Sequence, residues 1–132
     1  IDIQPMEKID GCFFLQKSVE AVTDEDFVSI KKFLPFDLVL SDMAPNISGI
    51  RERDDALMLG LVDLVLMTID TKLKKDGSAL IKVFQGETLD YTREALNKRF
   101  NKVKISKPKA SRSNSKEIYI IGKELKNYER TS

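Results

Sequence analysis

Apolar and polar positions alternate between two periods along the chain, short runs that suit strands and longer stripes that suit helices. "GCFFLQ" (11 to 16) is a compact apolar run bounded by Gly11, and "IDI" at the start has the look of a strand already under way. Thr23 followed by Asp24, Glu25 and Asp26 resembles a helix N-cap with acids in its first turn, leading into "FVSIKKFL" and closed by Pro35. "FDLVLS" (36 to 41) is apolar on both faces, the pattern of a central parallel strand. From about Asp54 to Lys75 the spacing predicts a long helix with acids at its start, lysines at its end and Gly77 as a C-cap, and its Leu, Val and Met stripe is core. "SALIKVFQG" (78 to 86) reads as strand, "LDYTREALNKRF" as helix, "KVKIS" as strand, "KPKASRSNSK" as loop, "EIYIIG" (117 to 122) as a final strand, and "ELKNYERTS" as a polar, frayed tail.

Strand alternating with helix predicts one α/β domain over residues 1 to 123, with a mostly parallel sheet whose ligands bind at the carboxyl ends of the strands. The last two strands are joined by a loop with no helical pattern, so they should pair antiparallel. That reversal brings the start of the last strand to the rim where the parallel strands end. Asp42, Lys82 and Glu117 would then meet at one place.

Composition narrows the chemistry. No histidine is present, which excludes a Ser-His-Asp triad and a His-ligated metal, and the single Cys12 excludes a cysteine-based zinc site. Cys12, inside an apolar run, reads as a buried small hydrophobe in a reducing, cytoplasmic setting, an organelle or nucleus being the eukaryotic variant. No window approaches the roughly 20 apolar residues of a membrane span. The chain opens on Ile1 within a strand pattern and so reads as the later portion of a longer protein.

Net charge is only +1, but it is unevenly placed. Residues 1 to 70 carry 6 basic and 14 acidic side chains, whereas residues 71 to 132 carry 16 and 7. Eight cations (Lys98, Arg99, Lys102, Lys104, Lys107, Lys109, Arg112 and Lys116) occur with no anion among them. Such a block suits a polyanion, although lysine-rich loops are also ordinary solvated surface.

"SDMAPNISG", "KVFQGE" and "KPKASRSNSKEIYIIG", in this order, resemble the FtsJ (RrmJ) family of S-adenosylmethionine-dependent RNA ribose 2′-O-methyltransferases, over Asp2 to about Gly122. The resemblance implies a Rossmann-like class I methyltransferase fold with an antiparallel final strand. It implies that Asp42, Lys82 and Glu117 are three members of a Lys-Asp-Lys-Glu catalytic set, whose first lysine and accompanying glycine-rich cofactor loop have no counterpart here. For S-adenosylmethionine it implies contacts from Asp2, Ile3, Ser18, Asp42 and Met43. Asp2 corresponds to the acid that accepts from the cofactor ribose. Ser18 stands where the family often has an acid for the adenine amino group. From the cation run, RNA phosphate contacts are expected at Lys107, Lys109, Arg112 and Lys116. No metal is called for.

These residue types suit the reaction. Methyl transfer from sulfonium to a ribose hydroxyl is an in-line displacement on carbon, so alignment supplies much of the acceleration. Lys82 either accepts the hydroxyl proton, if its pKa is lowered, or stabilises the developing alkoxide; Asp42 and Glu117 orient it and oppose that lowering. The expected substrate is large-subunit ribosomal RNA, on the pattern of "SDMAPN". Transfer RNA methylation, a non-catalytic RNA-binding module and another nucleotide-binding α/β protein are the alternatives. Oligomeric state is not legible.

Overall fold

The computed structural model describes residues 1–107 and 117–126. It divides into two compact units, Ile1–Leu34 and Pro35–Ser132.

The second unit carries the sheet. Its strands are β1 (Phe36–Ser41), β2 (Leu73–Phe84), β3 (Phe100–Ser106) and β4 (Glu117–Leu125), with helices α1 (Arg51–Lys72) and α2 (Glu87–Arg99) between them. The strand order is β1-β2-β4-β3. β1 pairs parallel with β2, and β4 pairs antiparallel with both β2 and β3. Three strands thus run one way and the last runs against them, as the alternation of elements predicts.

One face of this sheet holds the core. Met58, Val62, Val65, Leu66 and Ile69 of α1 and Leu96 of α2 pack against Ala79, Ile81, Val83, Ile118 and Ile120. The Leu, Val and Met stripe of the long helix is therefore core, as its spacing predicts. Arg99 ties the two helices together. Its Nε and Nη2 donate to the Asp70 carboxylate at 2.8 and 3.0 Å, and its Nη1 donates to the Ala95 carbonyl.

Gly122 fits where no larger residue would. A Cβ there would meet the Phe100 ring at 2.7 Å, and Phe100 is itself buried. Gly122→Ala is expected to destabilise the protein by about 1–3 kcal/mol, because the ring must move within a packed core. Chemical denaturation of the two proteins checks this, and equal midpoints would show that the ring relocates freely.

Several expectations change. The long helix starts at Arg51 and ends at Lys72, and Gly77 is not its C-cap. Leu73 leaves the helix directly into β2, and Lys74 to Gly77 form an irregular insert, with Asp76 at φ 67, before regular pairing resumes at Ser78. β1 is an edge strand among the described residues, not a central one, since β2 alone borders it. Its Leu38 and Leu40 are consequently 49% and 66% exposed. β4 runs on to Leu125, which is buried, so the first residues of the expected polar tail belong to the sheet.

The first unit departs furthest from its pattern. "IDI" and "GCFFLQ" form no strands, only an isolated parallel bridge between Asp2 and Gln16. A lone pair of short segments has too little neighbouring sheet to be stable as strands. Cys12 is correspondingly exposed, not buried. The segment after Thr23 keeps its expected N-cap, as a capping box of Thr23 with Asp26, but continues as 3-10 turns over Asp24–Phe33 with non-helical backbone at Ile30. None of its residues is buried, and helices draw most of their stability from a packed face.

Candidate active site

β1 ends on Ser41, which pairs with Ile81, so Asp42 leaves the sheet beside Lys82. Lys82 in turn lies opposite Tyr119 across the β2–β4 ladder, and Glu117 opens β4 on the same face, two residues from Tyr119. The Lys82 ammonium stands 3.1 Å from the Asp42 carboxylate and 3.8 Å from that of Glu117. Three residues spread over 76 positions of chain are thereby brought within one cluster, as the strand directions predict.

The loop after Asp42 is held from below. Asp54, in the first turn of α1 and mostly buried, accepts from the Ser48 backbone N–H and hydroxyl at 2.8 Å each and from the Gly49 N–H at 3.2 Å. The helix N-terminus favours that carboxylate. In the sequence Asp54 reads only as an acid at a helix start; its return contact to a loop six residues back is invisible until the turn is formed.

Lys82 is 13% exposed in its side chain, against 72% for Asp42. Burial works to lower its pKa, but the hydrogen bond to Asp42 and the charges of Glu117 and Asp42 outweigh that and hold it above the ordinary lysine value. Lys82 is therefore an ammonium at neutral pH.

Tyr119 was not singled out in the sequence. Its hydroxyl donates to Asp42 Oδ1 at 3.1 Å, and that bond, with some burial and the Asp42 charge, pushes its pKa up. The available signal was positional: residues 117 and 119 of a strand share a face. Asp42 thus receives hydrogen bonds from two directions, which fixes its carboxylate.

The first unit places its three expected residues near one another. Asp2 N–H donates to the Leu15 carbonyl and Lys17 N–H to the Asp2 carbonyl, while the Gln16 side chain donates to the Ile3 carbonyl at 3.3 Å. Ser18 follows directly, its hydroxyl accepting from Glu20 N–H. Asp2 is exposed; one carboxylate oxygen accepts from Gln4 N–H. Met43, half-buried, packs against the core of the second unit.

Of the cation run, the structure sorts what the sequence lumps. Arg99 is engaged with Asp70, Lys98 pairs with Glu94 and Lys102 with Glu124. Lys107 is exposed, whereas Lys109, Arg112 and Lys116 lie outside the described residues. Among the described residues no cluster of acidic or sulfur ligands could hold a metal, and no helix is long and apolar enough to cross a membrane.

A parallel-dominated sheet with a reversed strand and an Asp-Lys-Glu cluster at the strand ends is the frame of an α/β methyltransferase. The family profile for FtsJ-like methyltransferase matches residues 1–125, and the chain belongs to that family. It is 39% identical to the ribosomal RNA large subunit methyltransferase E of Polaromonas naphthalenivorans, over 96% of this chain and 54% of that protein. With the protein of the same name from Xanthomonas campestris pv. campestris (strain B100) it shares 44% identity, over 92% of this chain and 59% of that one. The chain thus spans little more than half the length of these relatives. Its fold is also that of a ribosomal RNA methyltransferase from Plasmodium falciparum, with a TM-score of 0.80 at 21% identity, over 93% of this chain and 69% of that one.

Proposed function

We propose that the protein to which this chain belongs methylates the ribose 2′-hydroxyl of a nucleotide in large-subunit ribosomal RNA, with S-adenosylmethionine as donor. The Asp42-Lys82-Glu117 cluster carries the reading, supported by family membership and by the names of the relatives. Transfer RNA methylation and a non-catalytic RNA-binding module are not favoured: the relatives carry the ribosomal name, and a binding module would not need a half-buried ammonium fixed between two carboxylates.

The donor set fits a nucleoside. Asp2 presents an exposed carboxylate at the end of a bridged segment, with lone pairs for ribose hydroxyls beyond the one taken by Gln4. Ile3 and Ser18 in the first unit, and Asp42 and Met43 in the second, are the other expected cofactor contacts. When bound, S-adenosylmethionine supplies an electrophilic methyl carbon whose sulfur departs as a neutral thioether.

The work of this chain's own residues follows from their charge states. Lys82, kept protonated, donates a hydrogen bond to the ribose oxygen and stabilises the negative charge that grows on it as the methyl is transferred. Asp42 and Glu117 hold the ammonium in place, and as carboxylates they are the groups available to take the hydroxyl proton. Tyr119 anchors Asp42. Lys107, Lys109, Arg112 and Lys116 would hold the RNA through its phosphates. The cytoplasm is the expected compartment.

The test is methyl transfer by the full-length protein to large ribosomal subunits from cells lacking it, followed by nuclease mapping of the product. A labelled nucleotide resistant to alkaline cleavage on its 3′ side marks a 2′-O-methyl group. Label on a base would reject the reading.

A further inference from the structure

The sheet has a second face, opposite the helices, and its rows can be read from the strand register. Ser106, Tyr119 and Lys82 are aligned across β3, β4 and β2; Lys104, Ile121, Leu80 and Leu40 form the next row on that face; Lys102 and Lys123 form the one beyond. Val103, Ile105, Ile118 and Ile120 point to the core, so alternation turns Lys102, Lys104 and Lys123 to the open side, where all three are exposed.

We propose that this face of β3 and β4 is a track for the sugar-phosphate backbone of single-stranded RNA beside the nucleotide being methylated. The inference rests on the RNA methyltransferase reading and adds to it a surface outside the loop cations.

Three observations carry it. The lysines begin one row from Lys82 and recede from it in steps of about 6.6–6.8 Å, two residues of strand, comparable to the spacing of phosphates along an extended strand. Lys102 and Lys123 lie directly opposite each other on neighbouring strands, an arrangement that is unfavourable unless an anion relieves it. Glu124, held at φ 62, reaches Lys102 at 3.0 Å, but Lys104 and Lys123 have no ion-pair partner among the described residues. Finally, lysines are common guards on sheet edges, and Lys102 and Lys104 stand on the edge strand β3, whereas Lys123 stands on β4, one residue past its last pairing with β2 at Gly122. Edge protection does not require that Lys123 face Lys102 directly across the ladder.

The experiment uses the full-length protein and a mixed-sequence single-stranded RNA labelled at its 5′ end. Lys104→Gln with Lys123→Gln is expected to weaken RNA binding and to lower the log-log salt slope by about 1.4, at about 0.7 per lost contact on a single strand. Lys104→Arg with Lys123→Arg should keep the slope. Donor affinity by calorimetry and methyl transfer at saturating RNA should match the parent in both variants. An unchanged slope in the glutamine variant, with the parent methylating RNA normally, would overturn the track alone. A parent that binds the donor but neither binds nor methylates RNA would overturn the substrate reading and the track together. Aggregation of the glutamine variant with an unchanged slope would assign these lysines to guarding the sheet against association.

Discussion

Lys82→Ala in the full-length protein is expected to lower methyl transfer to ribosomal RNA by more than about a hundredfold while donor affinity changes little. The ammonium sits between Asp42 and Glu117, and its removal both deletes the charge that would face the ribose oxygen and leaves two carboxylates without their shared cation. The pH profile separates the two roles a lysine can play. Because Asp42 and Glu117 raise the pKa of Lys82 above the ordinary lysine value of 10.5, despite its burial, the group is charged across the neutral range. Its stabilising pairing is complete below that ordinary value and is lost as pH climbs through the raised one. Rates should therefore show no rise with increasing pH assignable to Lys82 losing its proton, and should fall only in strong alkali. A rate that instead climbs with pH in the wild type and loses that limb in Lys82→Arg would make Lys82 the proton acceptor. Near-normal turnover by Lys82→Ala would remove it from the chemistry altogether.

The 132-residue chain, expressed by itself, is expected to incorporate no measurable methyl groups into ribosomal RNA and to self-associate as its concentration rises. β1 forms one edge of the described sheet, with Leu38 and Leu40 exposed along it. An apolar open edge of this kind invites pairing with another chain. The chain also covers only 54% of the length of its Polaromonas relative. The comparison is between this chain and the full-length protein, by light scattering and by methyl incorporation in parallel. Equal activity from the two would show that residues 1–132 suffice for catalysis, and a concentration-independent monomer would show that the β1 edge is protected by means the exposed leucines do not reveal.

Legibility along the chain followed the kind of signal each segment carries. "FDLVLS", the long helix, "KVKIS" and "EIYIIG" were read in the right order and close to their observed limits, because their apolar residues recur at strand and helix periods even where, as in Leu38 and Leu40, they are exposed. The antiparallel last strand followed from a connection without a helix. Residues 1 to 34 were misread because their apolar runs, though strand-like, have in this structure neither a sheet nor a core to join. Gly77 was taken for a helix stop because the insert between α1 and regular β2 has the composition of a C-cap. The cation run was read as uniform, whereas Arg99 is bound to a carboxylate 29 residues earlier that no local pattern marks.

By itself the amino-acid sequence determined the alternation of strand and helix, the chemistry available to a chain without histidine, and the three residues Asp42, Lys82 and Glu117 that belong together. These are properties of residue type, period and order, which survive without coordinates. The tertiary structure decided which groups touch. Only the register of β2 on β4 sets Tyr119 against Lys82, only that of β3 on β4 sets Lys123 against Lys102, and only the folded turn lets Asp54 hold the loop behind Asp42. The charge of Lys82 was decided there too, because a pKa answers to the few ångströms around a group, and two carboxylates at 3.1 and 3.8 Å outweigh the partial burial that works against it.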